Sequence, residues 1–179
     1  MNSETGDLKS RREVLKLIAG AGGAGLILLT LKPVPVLAQS AGIDLSILSP
    51  ALYLEHEAIA SYHFGIDSKL LSGKHQEFAI AFQSDHKYHR DGIVGAIRTL
   101  GGEPAGPKKE FNFGRIKSDA DFARLVRGYE LDFVRAYSSL AANVQNKGVL
   151  NFAAYILADE VRHLTVWNHE LGSPNYGKS

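Results

Sequence analysis

Two five-residue segments of the chain repeat an arrangement of residues that bind metals. Residues 85–89 read DHKYH and residues 159–163 read DEVRH, so each begins with an aspartate and ends with a histidine. Carboxylate oxygens and imidazole nitrogens are suitable ligands for iron, manganese and zinc. The chain has no cysteine, so a metal site must be built from His, Asp and Glu, and no disulfide framework is available.

The two segments belong to a longer internal repeat, whose halves we call the first and the second half-site. The first half-site reads Glu55, six residues, Tyr62, 23 residues, His86, two residues, His89. The second half-site reads Glu130, six residues, Tyr137, 22 residues, Glu160, two residues, His163. Because residue types and spacings agree so closely, we interpret the halves as one site written twice and related by a pseudo-twofold axis.

Six ionisable side chains of the repeat interrupt apolar helical stripes. Glu55, for example, interrupts a series of apolar residues that recurs at steps of three and four positions between 45 and 66. An isolated buried charge costs many kcal/mol, whereas one buried leucine contributes only about 2 kcal/mol. Such a set is stable only if its members satisfy one another or share a metal. We therefore predict a metal site formed by Glu55, His86, His89, Glu130, Glu160 and His163.

Four segments with helical periodicity must position these residues. We expect helices at about 44–71, 74–100, 118–144 and 149–171, with Ser118 as the N-cap of the third. No segment alternates apolar and polar residues in the manner of a strand, so the predicted fold class is all-α. Short turns join the helices in pairs, and residues 101–117 lie between the pairs. This pattern predicts an antiparallel four-helix bundle of two helical hairpins joined by a long crossover.

The N-terminal residues 1–38 have the layout of an export signal. Arg11 and Arg12 lie in a charged segment, residues 17–31 form an uncharged run, and small residues precede a cleavage site after Ala38. The arginine pair resembles a twin-arginine signal, which directs export of folded proteins. An ordinary signal with a chance arginine pair and an uncut anchor are the alternatives. We predict a bundle domain at 39–179 and a periplasmic or other extracytoplasmic location.

Two numbers restrict the partners of the predicted mature chain. Residues 39–179 carry 15 Lys and Arg against 16 Asp and Glu, so this part is nearly neutral and no nucleic-acid partner is expected. The apolar run of the signal has about 15 residues, short of the ~20 that span a bilayer, so no stable membrane insertion is expected after cleavage. Metal ions are the partners that the sequence predicts.

The repeat resembles the dimetal carboxylate site of the ferritin-like superfamily, in which two helices each supply a Glu and the other two each supply Glu-x-x-His. The segments EHEAIASY (55–62), YELDFVRAY (129–137) and ADEVRHLTVW (158–167) are similar to the first, third and fourth helices of bacterioferritins and rubrerythrins. The resemblance extends from about residue 44 to residue 172. Twin-arginine-exported bacterial ferritin-like domain proteins are the nearest type.

The resemblance implies a role for each predicted ligand. In this correspondence, the terminal carboxylates are Glu55 and Glu130, the terminal imidazoles are His89 and His163, and one bridging carboxylate is Glu160. His86 stands where the family has its other bridging Glu. A neutral imidazole offers one lone pair and is expected to bind one ion, which is the main departure from the family pattern. Asp85 is a weaker replacement, since it lies about 100° around the helix from His86.

The resemblance also implies a cofactor and restricts the assembly. Iron is the implied metal, with two ions, and manganese and zinc are alternatives. Met1 is the only methionine, so a haem held between methionines of two subunits is not expected. Fewer than ten residues follow the fourth predicted helix, which favours a monomer or small homo-oligomer over a 24-subunit cage.

Three functions follow from this interpretation. The first is a di-iron oxidoreductase that acts on oxygen or peroxide, in which Tyr62 and Tyr137 donate hydrogen bonds to the site carboxylates. The second is a mononuclear or non-redox metal site, and the third is a metal-free bundle with a structural, stress-protective or partner-binding role in the cell envelope. Five further residues lie off the stripes and are expected to be solvated: His56, Glu57, His63, His75 and His169.

Overall fold

The computed structural model describes residues 36–172, with side chains from Ser40 onwards. This part of the chain contains four helices and no strand. They are α1 (Val36–Asp67), α2 (Gly73–Thr99), α3 (Asp119–Asn143) and α4 (Lys147–Glu170). The predicted all-α fold is confirmed. Most of the predicted signal, residues 1–35, lies outside the described residues, and that prediction stays untested.

The helices pack as two hairpins. Helix α1 packs along α2, and α3 packs along α4, with further contacts between α1 and α3 and between α2 and α4. Residues 101–117 cross from one hairpin to the other and contain no helix. The aromatic rings of the crossover pack on α1, with Phe111 6.1 Å from Tyr53 and Phe113 5.7 Å from Phe64 between ring centroids. The architecture is therefore an antiparallel four-helix bundle with one long crossover.

Local signals in the sequence explain where the helices begin and end. The hydroxyl of Ser118 accepts a hydrogen bond from the backbone N–H of Asp121, so the predicted N-cap of α3 is confirmed. The side chain of Asn146 caps α4 by accepting from the N–H groups of Gly148 and Val149. Beyond the C-terminus of α2, Gly101 has a φ of +81°, a left-handed conformation that favours glycine.

Helix α1 begins at Val36, earlier than the predicted start at Asp44. The Asp44 side chain has a different task, since it accepts hydrogen bonds from the backbone N–H groups of Gln145 and Asn146 at 2.7 and 2.9 Å. Only 1% of Asp44 is exposed. It therefore fixes the turn between α3 and α4 against α1. None of the four described helices contains an apolar stretch long enough to cross a bilayer.

The apolar core is divided into two layers by the predicted site. One layer is formed by residues such as Leu48, Ile97, Leu140 and Val149. The other is formed by aromatic and aliphatic residues that include Phe82, Phe122 and Trp167. Along each of the four helices, the predicted ligands lie between the residues of these two layers. The apolar layers exclude water from the site on both sides, so its charges interact in a medium of low dielectric constant.

Candidate metal centre

All six predicted ligands come together in the middle of the bundle. Glu55 is 1% exposed and the other five are fully buried. Each helix contributes to the set: Glu55 from α1, His86 and His89 from α2, Glu130 from α3, and Glu160 and His163 from α4. The fold places them together because α1 pairs with α2, α3 pairs with α4, and the half-sites lie at the same depth. Their role as metal ligands stays a prediction.

The six side chains form two overlapping groups of four. One group, which we call the first pocket, consists of Glu55, His86, His89 and Glu160. The other, the second pocket, consists of His86, Glu130, Glu160 and His163. Within each pocket, one nitrogen or oxygen from every residue lies within 4.8 Å of the others. Two pockets of four donors that share two residues have the composition expected of a centre for two metal ions.

His86 and Glu160 are the two residues shared by both pockets. The Nδ1 of His86 lies 2.9 Å from Oε2 of Glu55 and 3.6 Å from Oε1 of Glu160, in the first pocket. Its Nε2 lies 3.4 Å from Oε1 of Glu130, in the second pocket. The ring of His86 thus presents one nitrogen to each pocket. The expectation that this imidazole binds a single ion stays a prediction.

Several buried polar atoms in the pockets form no hydrogen bond of good geometry, although they lie within ion-pair distance of one another. They are Nδ1 of His89, Oε2 of Glu130, both carboxylate oxygens of Glu160 and Nδ1 of His163. A buried polar atom without a partner costs about 1–3 kcal/mol, so such atoms are rare unless a ligand satisfies them. All five lie on residues of the two pockets. The donor set therefore fits metal ions bound by imidazole and carboxylate.

Two aspartates that were not predicted hold the terminal histidines in place. Nε2 of His163 donates to Asp85 at 3.1 Å, and Nε2 of His89 donates to Asp159 at 3.2 Å. Each hydrogen bond leaves Nδ1 of the same ring facing its pocket, where it offers a lone pair to a metal ion once its proton is displaced. Asp85 was considered only as a replacement for a bridging Glu, but it lies outside the pocket. The repeated Asp-x-x-x-His pattern contains both aspartates, but it does not show which histidine each one contacts.

The two predicted tyrosines connect the half-sites. Tyr62 of the first half-site donates to Oε1 of Glu130, and Tyr137 of the second donates to Oε1 of Glu55. The Nε1–H of Trp167 in turn donates to the Tyr62 hydroxyl at 2.8 Å. The predicted hydrogen-bonding partners are therefore in place. Burial, reinforced by the charge of Glu130, raises the pKa of Tyr62 well above its usual value, so the hydroxyl stays protonated as a donor.

Charge balance in the centre comes from imidazoles beside carboxylates. Burial lowers the pKa of His86, but the charges of Glu160 and Glu130 outweigh burial and raise that pKa well above its usual value. For His163, burial is likewise outweighed by Glu130 and by the hydrogen bond to Asp85, which raise the pKa to about 10. Burial raises the pKa of Glu130, yet His163 and His86 hold it well below its usual value. A metal ion would therefore displace protons from the imidazoles.

The expectation that the off-stripe residues are solvated is only partly correct. His63 and His169 are exposed, as predicted, with side chains 67% and 77% accessible. Glu57 is buried instead, because it packs beside Tyr129 of α3. His75 is also largely covered, since its Nδ1 lies 2.7 Å from Asp119 and its Nε2 lies 3.0 Å from Glu170.

His56 is the fifth of these residues, and it is partly covered. Its ring nitrogen Nε2 lies 3.2 Å from the carbonyl oxygen of Ala105 in the crossover. Helical periodicity identifies the inner face of a helix, but it does not show which outer positions a crossover or a neighbouring helix covers.

Comparisons with known proteins agree with this fold. A family model described as a ferritin-like domain matches residues 43–173. Comparison with curated proteins gave no match. Among solved structures, the chain is similar to a conserved hypothetical protein from Mycobacterium tuberculosis, with 24% identity and a TM-score of 0.68 over 79% of this chain and 98% of that one.

Two further solved structures share the fold. A protein from Bacillus anthracis str. Ames, described as a ferritin-like, diiron-carboxylate protein, has 21% identity and a TM-score of 0.63 over 74% of this chain and 97% of that one. A dodecameric thioferritin, described as the bacterioferritin-related protein from Bacteroides fragilis, has 18% identity and a TM-score of 0.64 over 90% of this chain and 93% of that one.

Proposed function

The chain belongs to the ferritin-like domain family, and we propose from this that it holds two metal ions in the two pockets and uses them as an oxidoreductase acting on oxygen or peroxide. The observation that carries the proposal is the convergence of buried donors without well-formed hydrogen bonds on pockets that share His86 and Glu160. Since each pocket contains two imidazoles and two carboxylates, the donors suit iron, manganese or zinc.

Iron is the metal that we favour. One structure with the same fold is described as a diiron-carboxylate protein, and the two pockets of this chain also contain carboxylates. Bound iron would supply the electrons that reduce oxygen or peroxide.

The chain's own residues bind the cofactor, orient it and exclude water. Glu160 presents one oxygen to each pocket, and Asp85 and Asp159 fix the ring orientation of the terminal imidazoles. The hydroxyls of Tyr62 and Tyr137 hold protons at oxygens of Glu130 and Glu55.

We also propose export through the twin-arginine pathway. The arginine pair Arg11-Arg12, the uncharged run after it and the small residues before position 39 support this proposal. That pathway carries folded proteins, so the metal would be loaded before export into the periplasm. A monomer or small homo-oligomer is the assembly we propose for the exported protein.

A mononuclear or metal-free bundle is the second candidate function. It is favoured by His86, whose Nδ1 lies 2.9 Å from Glu55 and whose charge would replace that of a cation. Three imidazolium groups would neutralise the three carboxylates of the pockets and leave a polar core without an ion. In this case the bundle would have a structural or partner-binding role.

Oxygen-dependent absorbance distinguishes the two candidates. The purified chain is loaded with Fe²⁺ without oxygen and then mixed with oxygen or hydrogen peroxide, and the near-ultraviolet absorbance of oxidised iron is followed. The proposal predicts a rapid change in the wild-type protein that is lost in Glu160→Ala, which lacks the carboxylate shared by both pockets. Glu77→Ala, an exposed position on α2, is the control and should behave as the wild type. Equal, slow oxidation in all three proteins would show that the site is not an oxidoreductase centre.

A further inference from the structure

The seam between α2 and α4 is a place where the centre lies close to solvent. The six ligands are almost completely buried, but the side chains of Asp85 and Asp159 are 33% and 17% exposed. Each aspartate is bonded directly to a ligand, His163 or His89. On this side, one carboxylate separates each terminal imidazole from water.

The side chain of Arg162 covers both aspartates on their solvent side. Nη2 of Arg162 lies 2.8 Å from Oδ2 of Asp85 and 2.9 Å from Oδ1 of Asp159. The same nitrogen lies 3.4 Å from Nε2 of His163, so the guanidinium covers the ring of a predicted ligand. The Arg162 side chain is 50% exposed. Half of its surface is in contact with solvent, so Arg162 has room to swing outwards.

The two ends of the seam are closed in different ways. In the internal repeat, Arg162 corresponds to Tyr88, because each precedes the terminal histidine of its half-site. The ring of Tyr88 packs 6.1 Å from Phe152 and 5.9 Å from Tyr155, beside His89. Packed aromatic rings cover the His89 end, whereas the long charged side chain of Arg162 covers the His163 end.

We propose that this seam is the route by which metal ions reach the centre, and that Arg162 is its gate. This inference rests on the proposed metal centre. The carboxylates of Asp85 and Asp159 attract a divalent cation, and the guanidinium of Arg162 neutralises them while it is in place. An incoming cation must displace Arg162 from the carboxylates. Because the gate lies beside His163, the second pocket is filled before the first.

Metal association rates test the gate. The full apoprotein is mixed with Co²⁺ alone in a stopped-flow instrument, and the visible absorbance of the bound ion is recorded. Arg162→Gln leaves two carboxylates unneutralised at the mouth, so association should be about tenfold faster at low salt, at the lower end of electrostatic steering effects. The gain should shrink as ionic strength rises towards 0.15 M, where the Debye length is about 8 Å. The number of ions bound should not change.

Two further variants separate the gate from general effects of the mutation. Arg162→Lys keeps the charge and should restore a rate close to that of the wild type. Arg135→Gln removes an exposed arginine that pairs with Asp132 on α3, a helix that does not form the seam. This variant should leave the association rate unchanged. Equal association rates in Arg162→Gln and Arg135→Gln would overturn the route. The route would equally be overturned if Arg162→Gln released Co²⁺ faster but bound it at the wild-type rate. That result would mean that Arg162 only helps to position the ligands.

The test also separates failure of the gate from failure of the centre. If the wild-type protein binds no Co²⁺, the metal centre is wrong and the route is wrong with it. If the wild-type protein binds Co²⁺ with the expected stoichiometry and Arg162→Gln associates at the wild-type rate, only the route is overturned.

Discussion

Asp85 accepts a hydrogen bond from Nε2 of His163 at 3.1 Å, so a side chain of one hairpin orients a predicted metal ligand of the other. Asp159 does the same for His89 in the reverse direction. These two hydrogen bonds therefore link α2 and α4 across the centre. Neither hairpin can position its terminal imidazole alone, and correct ligand geometry depends on the packed bundle.

The first prediction concerns these supporting aspartates. Asp85→Ala should weaken metal binding by about 10–100-fold, with the larger effect on the second pocket, because the ring of His163 loses its orientation. Asp159→Ala should act in the same way on the first pocket. Competition with a chelator of known affinity measures both dissociation constants. Asp91→Ala, at an exposed aspartate on α2, is the control. If Asp85→Ala and Asp159→Ala bound metal as tightly as Asp91→Ala, the supporting role of Asp85 and Asp159 would be contradicted.

The second prediction concerns the tyrosines that join the half-sites. Tyr137→Phe should lower the free energy of unfolding by about 1–3 kcal/mol, because Oε1 of the buried Glu55 loses its donor. Tyr62→Phe should cost more, since Glu130 loses a donor and Nε1–H of Trp167 also loses its acceptor. Urea unfolding of the metal-free proteins measures both. In Tyr88→Phe, an exposed ring, the change should be small, and a similar cost for all three would be inconsistent with the described bonds.

The third prediction concerns the shared imidazole. His86→Glu should retain two ions and lower the dissociation constant for Fe²⁺ by roughly tenfold, which corresponds to about 1.4 kcal/mol. The substitution removes a cationic ring from between the pockets and adds a carboxylate whose two oxygens can serve both. The measurement is anaerobic Fe²⁺ titration, with His63→Glu as an exposed control on α1. Weaker binding in His86→Glu would show that both ring nitrogens of His86 are needed.

The fourth prediction concerns pH and the end of the bundle where α2 begins and α4 ends. Lys74 and His75 hold the pKa of Glu170 at about 2, against partial burial that raises it. Because the folded-state pKa is depressed, this stabilisation is complete above about pH 4.5 and is lost as the pH falls towards 2.

Glu170→Gln tests that dependence. At pH 7 the free energy of unfolding of the variant should be about 0.5–1 kcal/mol lower than that of the wild type, as expected for a solvent-screened ion pair. The difference should shrink as the pH falls towards 2 and disappear below it, where the carboxyl of Glu170 is protonated and both proteins carry an uncharged group at position 170. Glu110→Gln, exposed in the crossover, provides the control. A difference that stays constant with pH would contradict the ionic origin of the stabilisation.

The cluster of six buried ionisable side chains was predictable from the sequence for a physical reason. Charged residues are costly inside a bundle, so residues such as Glu55 and Glu130 stand out when they interrupt an apolar stripe. The helical period then places His86 and His89 on the same inner face. The repeat indicated that the halves meet at one depth, which the structure shows.

Other features were not predictable, because they depend on which helices are neighbours. Asp85 and Asp159 lie off the inner stripe, and only the packing of α2 against α4 gives each a histidine to hold. Arg162 reaches both aspartates for the same reason. The start of α1 was misplaced since Asp44 looks like a helix start in sequence, whereas its side chain caps the turn between α3 and α4.

The number of metal ions per chain tests the central claim most directly. The mature chain is titrated with Fe²⁺ under anaerobic conditions, freed of excess metal, and measured by elemental analysis beside Glu160→Ala and Glu77→Ala. Two ions per chain in the wild type and in Glu77→Ala, with loss of binding in Glu160→Ala, is the result predicted from the two pockets that share Glu160. One ion per chain would contradict the two-ion centre, and no ion above the level of Glu160→Ala would show that the buried imidazoles and carboxylates only neutralise one another.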